Sequence, residues 1–506
     1  MNFANALDAA ARNHPDALAV ADGARELTYA ELREEADAFA GALTALGVDA
    51  GERLGLYLPG CVTFVAAYIG GMKRGAIPVP LDLRVDLHGI DALLERVGAT
   101  TVVTTERLDS LAAAIEADTV ERTIVDGGEH GHTYGDLVAD ADSWGEPVAR
   151  RDEHLAEIVF TRGTTAEPCG VLHTHGNLWA NARGVGRYWR LSRHTVGLTV
   201  CPPFHVFGLH ATVTPLLLAG GTNHFPAGWD PSVLGLFDEQ NPTLTVVVPT
   251  MLADLLDHGT EDDLGGLERV VIAGDPLPRD TRDEATALFD ATLSTMYGTT
   301  ETMPATALGD VGPDDEPERV GRPARELVAL RIEDPRDRTA VRNGERGELL
   351  WRGDAVSPGY WDAPDANDDL FVERDGEYWL RSGDLGRLDA DGGLVVEGRA
   401  ADALFADDGI LARDDIEAEL YDLDGVLEAA VVTRSTVPTV VVKREGDSPT
   451  AAAIETCCRE ASDDRWTPDG IEFADALPRA AVRGMNSRTG GDWFDRTDEG
   501  WPEPDA

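Results

Sequence analysis

Glu157-Ile-Val-Phe-Thr161-Arg-Gly-Thr-Thr-Ala-Glu-Pro-Cys169-Gly-Val171 runs a short β-rich segment straight into a loop of small and hydroxylated residues. A strand that enters such a loop lets backbone N–H groups approach and cradle phosphate oxygens. The hydroxyls of Thr161, Thr164 and Thr165 add donors. Taken alone the stretch also reads as a polar turn, so its surroundings decide.

Upstream and downstream the chain alternates helix and strand signals. Thr28-Tyr-Ala-Glu31 is a capping box ahead of a helix that places Leu32, Ala36, Phe39, Leu43 and Leu46 on one face before Gly47 stops it. Segments 53–58 and 76–80 read as strands around a helix at 62–73. Short β-rich runs recur at 101–104, 195–201, 244–248 and 269–273, with helices at 231–239 and 279–289. This alternation predicts α/β layers with parallel strands. Beyond Gly309, Gly- and Asp-rich turns separate short strands through about Glu397, which predicts a more antiparallel β subdomain. A last α+β unit follows Gly398, with helices at 414–423 and 451–461 and strands at 428–433 and 439–443. The fold class is therefore α/β and multi-domain, as 506 residues also require.

Composition excludes several functions. Acidic residues outnumber basic ones 92 to 43, a net charge of −49 spread along the whole chain, so nucleic acid phosphates and anionic membranes are poor partners. Lys73 and Lys443 are the only lysines. The pattern is similar to proteins of salt-in halophiles, whose carboxylates hold water and cations in brine. Five cysteines without a C-x-x-C pair give no disulfide framework and no structural zinc, which fits a reducing, cytoplasmic setting. The N-terminus lacks a signal-peptide pattern. The most apolar stretch, Val62–Leu81, is broken by Lys73-Arg74, glycines and prolines, so no integral membrane association is expected.

Two further motifs carry chemistry. Tyr297-Gly-Thr-Thr-Glu301 follows a strand at 291–296 and offers a flat ring for a purine, a Gly for close backbone passage, hydroxyls for phosphate and a hard oxygen for Mg²⁺. Ser382-Gly-Asp-Leu385 puts Asp384 after a tight turn, suited to accept from two ribose hydroxyls.

In this order the motifs resemble those of the AMP-forming acyl-CoA synthetases, the adenylate-forming ligases. The loop at 161–171 with His173-Thr174-His175-Gly176-Asn177 is similar to the family's phosphate loop, T-S-G-T-T-G-x-P-K-G-V, and its trailing T-H-x-N. The resemblance assigns nucleotide binding to Thr161, Gly163, Thr164, Thr165, Gly274, Asp275, Tyr297, Gly298, Thr299 and Asp384. It gives Tyr297 adenine stacking, Thr300 the α-phosphate, Glu301 magnesium, Asp384 the ribose and Arg399 the ribose or phosphate. It places His205, in Pro202-Pro-Phe-His205, at the border of the acyl pocket, although a His beside an apolar helix is also a common packing residue. It implies an adenylation domain over 1–397, a hinge at 398–402 and a mobile domain over 403–506. The implied reaction joins a carboxylic acid, fatty or other acyl, to CoA with ATP and Mg²⁺ in a soluble enzyme that admits a homodimer.

Departures from the pattern fall on cations. Cys169 stands where the family has a lysine, Arg162 replaces a small Ser and Ala166 a Gly. The family's C-terminal lysine is missing from Leu477-Pro-Arg-Ala-Ala-Val-Arg-Gly-Met485. Negative charge builds on the transferring phosphoryl group, so such lysines act by aiming charge at it. Arg162, Arg479 and Arg483 are the candidate substitutes, though a guanidinium fork is not a point charge. Two readings therefore stand beside the synthetase: a family pseudoenzyme that binds a nucleotide, acyl ligand or partner, and an adenylating enzyme with another acceptor.

The charge excess makes one prediction. The midpoint of thermal unfolding rises as KCl increases from dilute buffer to molar concentrations, because screening removes like-charge repulsion from the folded state. A midpoint that falls or stays flat in a calorimetric salt series contradicts it.

Overall fold

In the computed structural model the capping box forms as the sequence predicts. The Thr28 hydroxyl accepts from the Glu31 N–H at 3.3 Å, and the Glu31 carboxylate accepts from the Thr28 N–H at 2.8 Å. The helix Tyr29–Ala45 packs on the helix Val62–Arg74, whose end is set by Gly75 in the left-handed region at φ 87°. Where these helices and the first helix, Asn5–Asn13, meet lies Lys73, with no exposed surface. Its ammonium donates to Asp8 and Asp37, both at 2.5 Å. The structure describes residues 1–85, 87–106, 120–127, 132–161, 168–260, 264–406, 409–411, 413–434, 437–444, 446 and 448–474.

Parallel sheets dominate the first half, as alternation predicts. A nine-stranded sheet runs, edge to edge, through 322–323, 303–310, 292–299, 269–273, 244–247, 196–198, 222–224, 18–21 and 26–28. Its centre is parallel, and its two edges, 26–28 at one end and 303–310 with 322–323 at the other, are antiparallel. These edges, and the antiparallel pair 155–160 with 170–174, are where the uniform parallel expectation fails. A five-stranded all-parallel sheet is formed by 77–80, 53–57, 99–105, 122–126 and 132–133. Strands Leu155–Phe160 and Gly170–Thr174 pair antiparallel and hold the loop between them.

The expected β subdomain is a five-stranded antiparallel sheet of 328–333, 347–353, 377–388, 371–374 and 394–399. After it, strands 426–434, 437–444 and 470–473 with helices Arg413–Tyr421 and Ala451–Ala461 enclose their own apolar cluster around Ile416, Leu420, Val440 and Ile454. One helix differs from expectation. The apolar segment after His205 opens as a π-helix, Phe207–Val213, before the α-helix Thr214–Ala219. Such wide turns recur at functional sites. All five cysteines are free thiols. Among the described residues no helix is long and apolar enough to cross a membrane.

Lys73→Met leaves Asp8 and Asp37 buried without their cation. It is expected to lower unfolding stability by about 3–5 kcal/mol, and adding Asp8→Asn and Asp37→Asn to recover most of the loss. Urea unfolding of the single and triple variants checks both.

Candidate active site

The strand Thr292–Thr299 carries Tyr297, Gly298 and Thr299 within its own pairing, so it runs past the expected end at 296. It then turns through a single 3₁₀ turn, Thr300–Thr302, in which the Thr302 hydroxyl accepts from the Thr299 N–H at 3.0 Å. Met303 follows at φ 61°, a conformation that favours glycine, and its fully buried side chain holds it there. The returning strand crosses so near Gly298 that a Cβ there would lie 2.0 Å from the Met303 carbonyl oxygen. Gly298 is thus required by its own sheet neighbour.

Asp384 and Arg399 face each other in register on adjacent strands of the antiparallel sheet. The Tyr297 hydroxyl donates to one oxygen of Asp384 and Arg399 to the other, each at 2.6 Å. Burial pushes the Asp384 carboxyl above its ordinary range, against the pull of Arg399 and Tyr297. Burial, reinforced by the Asp384 charge, holds the Tyr297 phenol far above its usual range, so it remains a donor. The Tyr297 ring lies tilted against buried Trp351, centroids 6.1 Å apart.

Glu301 accepts from the Tyr360 hydroxyl at 2.7 Å through Oε1, and among the described residues Oε2 has no hydrogen-bond partner. Burial, then the Glu301 charge, raises the Tyr360 phenol. Thr161 closes the base of the 161–171 loop. Its N–H donates to the Cys169 carbonyl at 2.9 Å, and its hydroxyl accepts from the Cys169 N–H at 3.0 Å. Gly163, Thr164 and Thr165, with Arg162 and Ala166, lie outside the described residues, as does the segment 477–485. His205 stacks on Phe207 with centroids 5.4 Å apart, and its Nδ1 accepts from the Phe207 N–H.

These residues share one cavity of about 830 Å³. Its walls include Thr161, His205, Gly274, Asp275, Tyr297, Gly298, Thr299, Thr300, Glu301, Asp384 and Arg399, which is every candidate among the described residues. Cys169 is on the same wall. Sequence reading gave no role to several other lining groups, Tyr360, Arg381 and Glu348 among them. Tyr360 sits in Gly359-Tyr-Trp361, and Arg381 is bound in a fork to Glu348 at 3.0 and 2.8 Å. Behind the cavity, Glu157, His173 and His210 form a fully buried polar cluster. The lone acid in the apolar run Leu155–Phe160 was the available signal for it.

The donors for Mg²⁺ fit. A magnesium ion is commonly held by one or two carboxylates together with substrate phosphates, and Glu301 offers an uncommitted hard oxygen beside the Thr300 hydroxyl.

This mixed α/β arrangement of several sheets matches the fold of solved adenylate-forming CoA ligases. ATP-bound MatB from Rhodopseudomonas palustris superposes with a TM-score of 0.80 at 27% identity, covering 98% of this chain and 100% of that one. A benzoate CoA ligase from Burkholderia xenovorans LB400 superposes with a TM-score of 0.78 at 25% identity, covering 95% and 98%. In sequence the chain is 30% identical over 485 residues to a feruloyl-CoA synthase of Amycolatopsis sp, covering 92% of this chain and 94% of that protein. Residues 7–361 match the pattern of the AMP-binding enzymes. The chain belongs to the AMP-binding enzyme family.

Gly298→Ala is expected to cost about 1–3 kcal/mol in unfolding, because backbone rather than a movable side chain meets the new methyl. Gly186→Ala, on an open helix face, is expected to be neutral or to stabilise by about 0.5–1 kcal/mol. Thermal unfolding of the pair checks the contrast.

Proposed function

We propose that the protein activates a carboxylic acid with ATP to an acyl-adenylate and passes the acyl group to CoA. The observation that carries this reading is the single cavity that gathers Tyr297, Thr300, Glu301, Asp384 and Arg399 in a chain of this family. In the proposed mechanism the adenine lies against Tyr297, and Gly274 and Asp275 border it. Asp384 accepts from the ribose hydroxyls while Arg399 and Tyr297 hold its carboxylate in place. Thr161 and Thr300 donate to phosphate oxygens, with Gly163, Thr164 and Thr165 completing the loop. Mg²⁺, when bound at Glu301, would neutralise phosphate charge. The substrate carboxylate oxygen attacks the α-phosphorus and the bond to pyrophosphate breaks. The CoA thiol, losing its proton, then attacks the acyl carbonyl and AMP leaves.

His205, Val206 and Phe207 line the cavity and face the acyl group in this reading. The acid is a fatty or other acyl acid, which suits fatty acid metabolism in a salt-rich cytoplasm. We place an adenylation domain at 1–397, a hinge at 398–402 and a mobile domain at 403–506. The separate apolar cluster beyond Leu404 supports that division. So do the polar contacts across it, Arg346 to Asp415 at 3.1 Å and Arg336 to the Ala406 carbonyl at 3.0 Å.

Cys169 favours a second reading, a protein that binds the nucleotide but forms adenylate poorly, since a thiol replaces a cation on the cavity wall. The deciding experiment is AMP release from ATP·Mg²⁺ in molar KCl across short, long and aromatic acids, with and without CoA. CoA-dependent AMP release is expected. No AMP with any acid, from protein shown to be folded, selects the binding role. Cys169→Lys is expected to raise the rate about tenfold or more, because it restores a preorganised charge.

A further inference from the structure

Behind the cavity wall, Glu157 accepts three hydrogen bonds with no exposed surface of its own. Its Oε1 meets His173 Nδ1 at 2.7 Å and His210 Nε2 at 2.5 Å, and its Oε2 accepts from the Tyr68 hydroxyl at 2.7 Å. His210 belongs to the π-helix, and its other nitrogen meets the Thr214 hydroxyl, which is able to donate, at 3.2 Å. His173 differs. Its Nε2 faces the backbone carbonyl of Thr300 at 2.8 Å, so both of its nitrogens meet oxygens that are acceptors. A neutral imidazole has a single N–H, and only the doubly protonated ring satisfies both neighbours while Glu157 stays ionised. Burial alone would raise the Glu157 carboxyl, but the two imidazoles outweigh it and hold it low.

The Thr300 carbonyl immediately precedes Glu301, whose own carbonyl accepts from the Ser357 N–H at 2.8 Å. Two consecutive carbonyls of the 3₁₀ turn are therefore pinned from behind. We propose that His173, held as an imidazolium by Glu157, is the positioning residue for the Thr300–Glu301 turn, and that His210 ties the same carboxylate to the π-helix beside the acyl end of the cavity. This rests on the proposed acid activation only for its kinetic consequence. Among the described residues, the titratable groups facing His173 and Glu157 are Tyr68 from the helix Val62–Arg74 and His210 from the π-helix.

Four measurements test it, and three do not need turnover. In ¹⁵N-histidine-labelled protein, the resonances lost in His173→Gln should show two protonated, pyrrole-type nitrogens. A pyridine-type Nδ1 overturns the charge assignment. Amide exchange across 299–303 should quicken about tenfold or more in His173→Leu while 269–273 is unchanged; unchanged exchange at 299–303 overturns the positioning role.

In AMP formation, His173→Leu should lower kcat about 10–100-fold with little change in KM for the acid. His173→Gln, an uncharged donor, should recover much of that rate. A wild-type rate in His173→Leu overturns the proposal. Absence of AMP from the wild type refutes the activity instead and leaves the exchange and ¹⁵N results to decide. A stoichiometric metal ion in protein purified without chelator would make the cluster a ligand set, overturning the charged strut.

Discussion

The carboxylate of Asp384 accepts from Tyr297 and Arg399, and through that one group three parts of the chain meet. Tyr297 comes from the largely parallel sheet, Asp384 from the middle of the antiparallel sheet, and Arg399 from the end of the neighbouring strand 394–399. A charge this deeply buried persists only with a cation and a hydrogen-bond donor in place. The clamp thus fixes the orientation of the two sheets where the cavity opens between them.

The same rule orders the rest of an acid-rich molecule. Exposed carboxylates contribute little individually and are screened by salt. Among the described residues the buried ones are few and have donors: Asp8 and Asp37 share Lys73, Glu157 takes two imidazoles and a phenol, Glu333 and Glu348 are held by arginines, and Glu417 accepts from the Val431 N–H. Lys73 keeps its place in a chain with a single other lysine because a compact ammonium fits between two carboxylates where the branched guanidinium is larger. His175 follows the opposite course. Burial lowers it to about 3, and as a neutral ring it accepts from the Phe3 N–H at 3.1 Å, docking the N-terminus.

Much of the fold was legible. The Thr28 capping box, the strand 269–273 and the helix 451–461 need only local propensity and periodicity, and they appear with the expected bounds or nearly so. The antiparallel sheet edges and the π-helix at Phe207–Val213 were not legible, because pairing direction and a wide turn depend on what packs alongside. Gly298 was read as a place of close backbone passage, and the strand returning through Met303, which the sequence did not show, also excludes a side chain there.

By itself the sequence determined most of the order of elements, the family and many of the residues that line the cavity, since motif types and spacing are properties of the chain. Only the tertiary structure decided which acceptor each donor reaches. His173 and Thr300 are 127 positions apart, and Tyr297 and Asp384 are 87. Hydrogen bonds act over about 3 Å, and no local pattern records which distant residues will come that close.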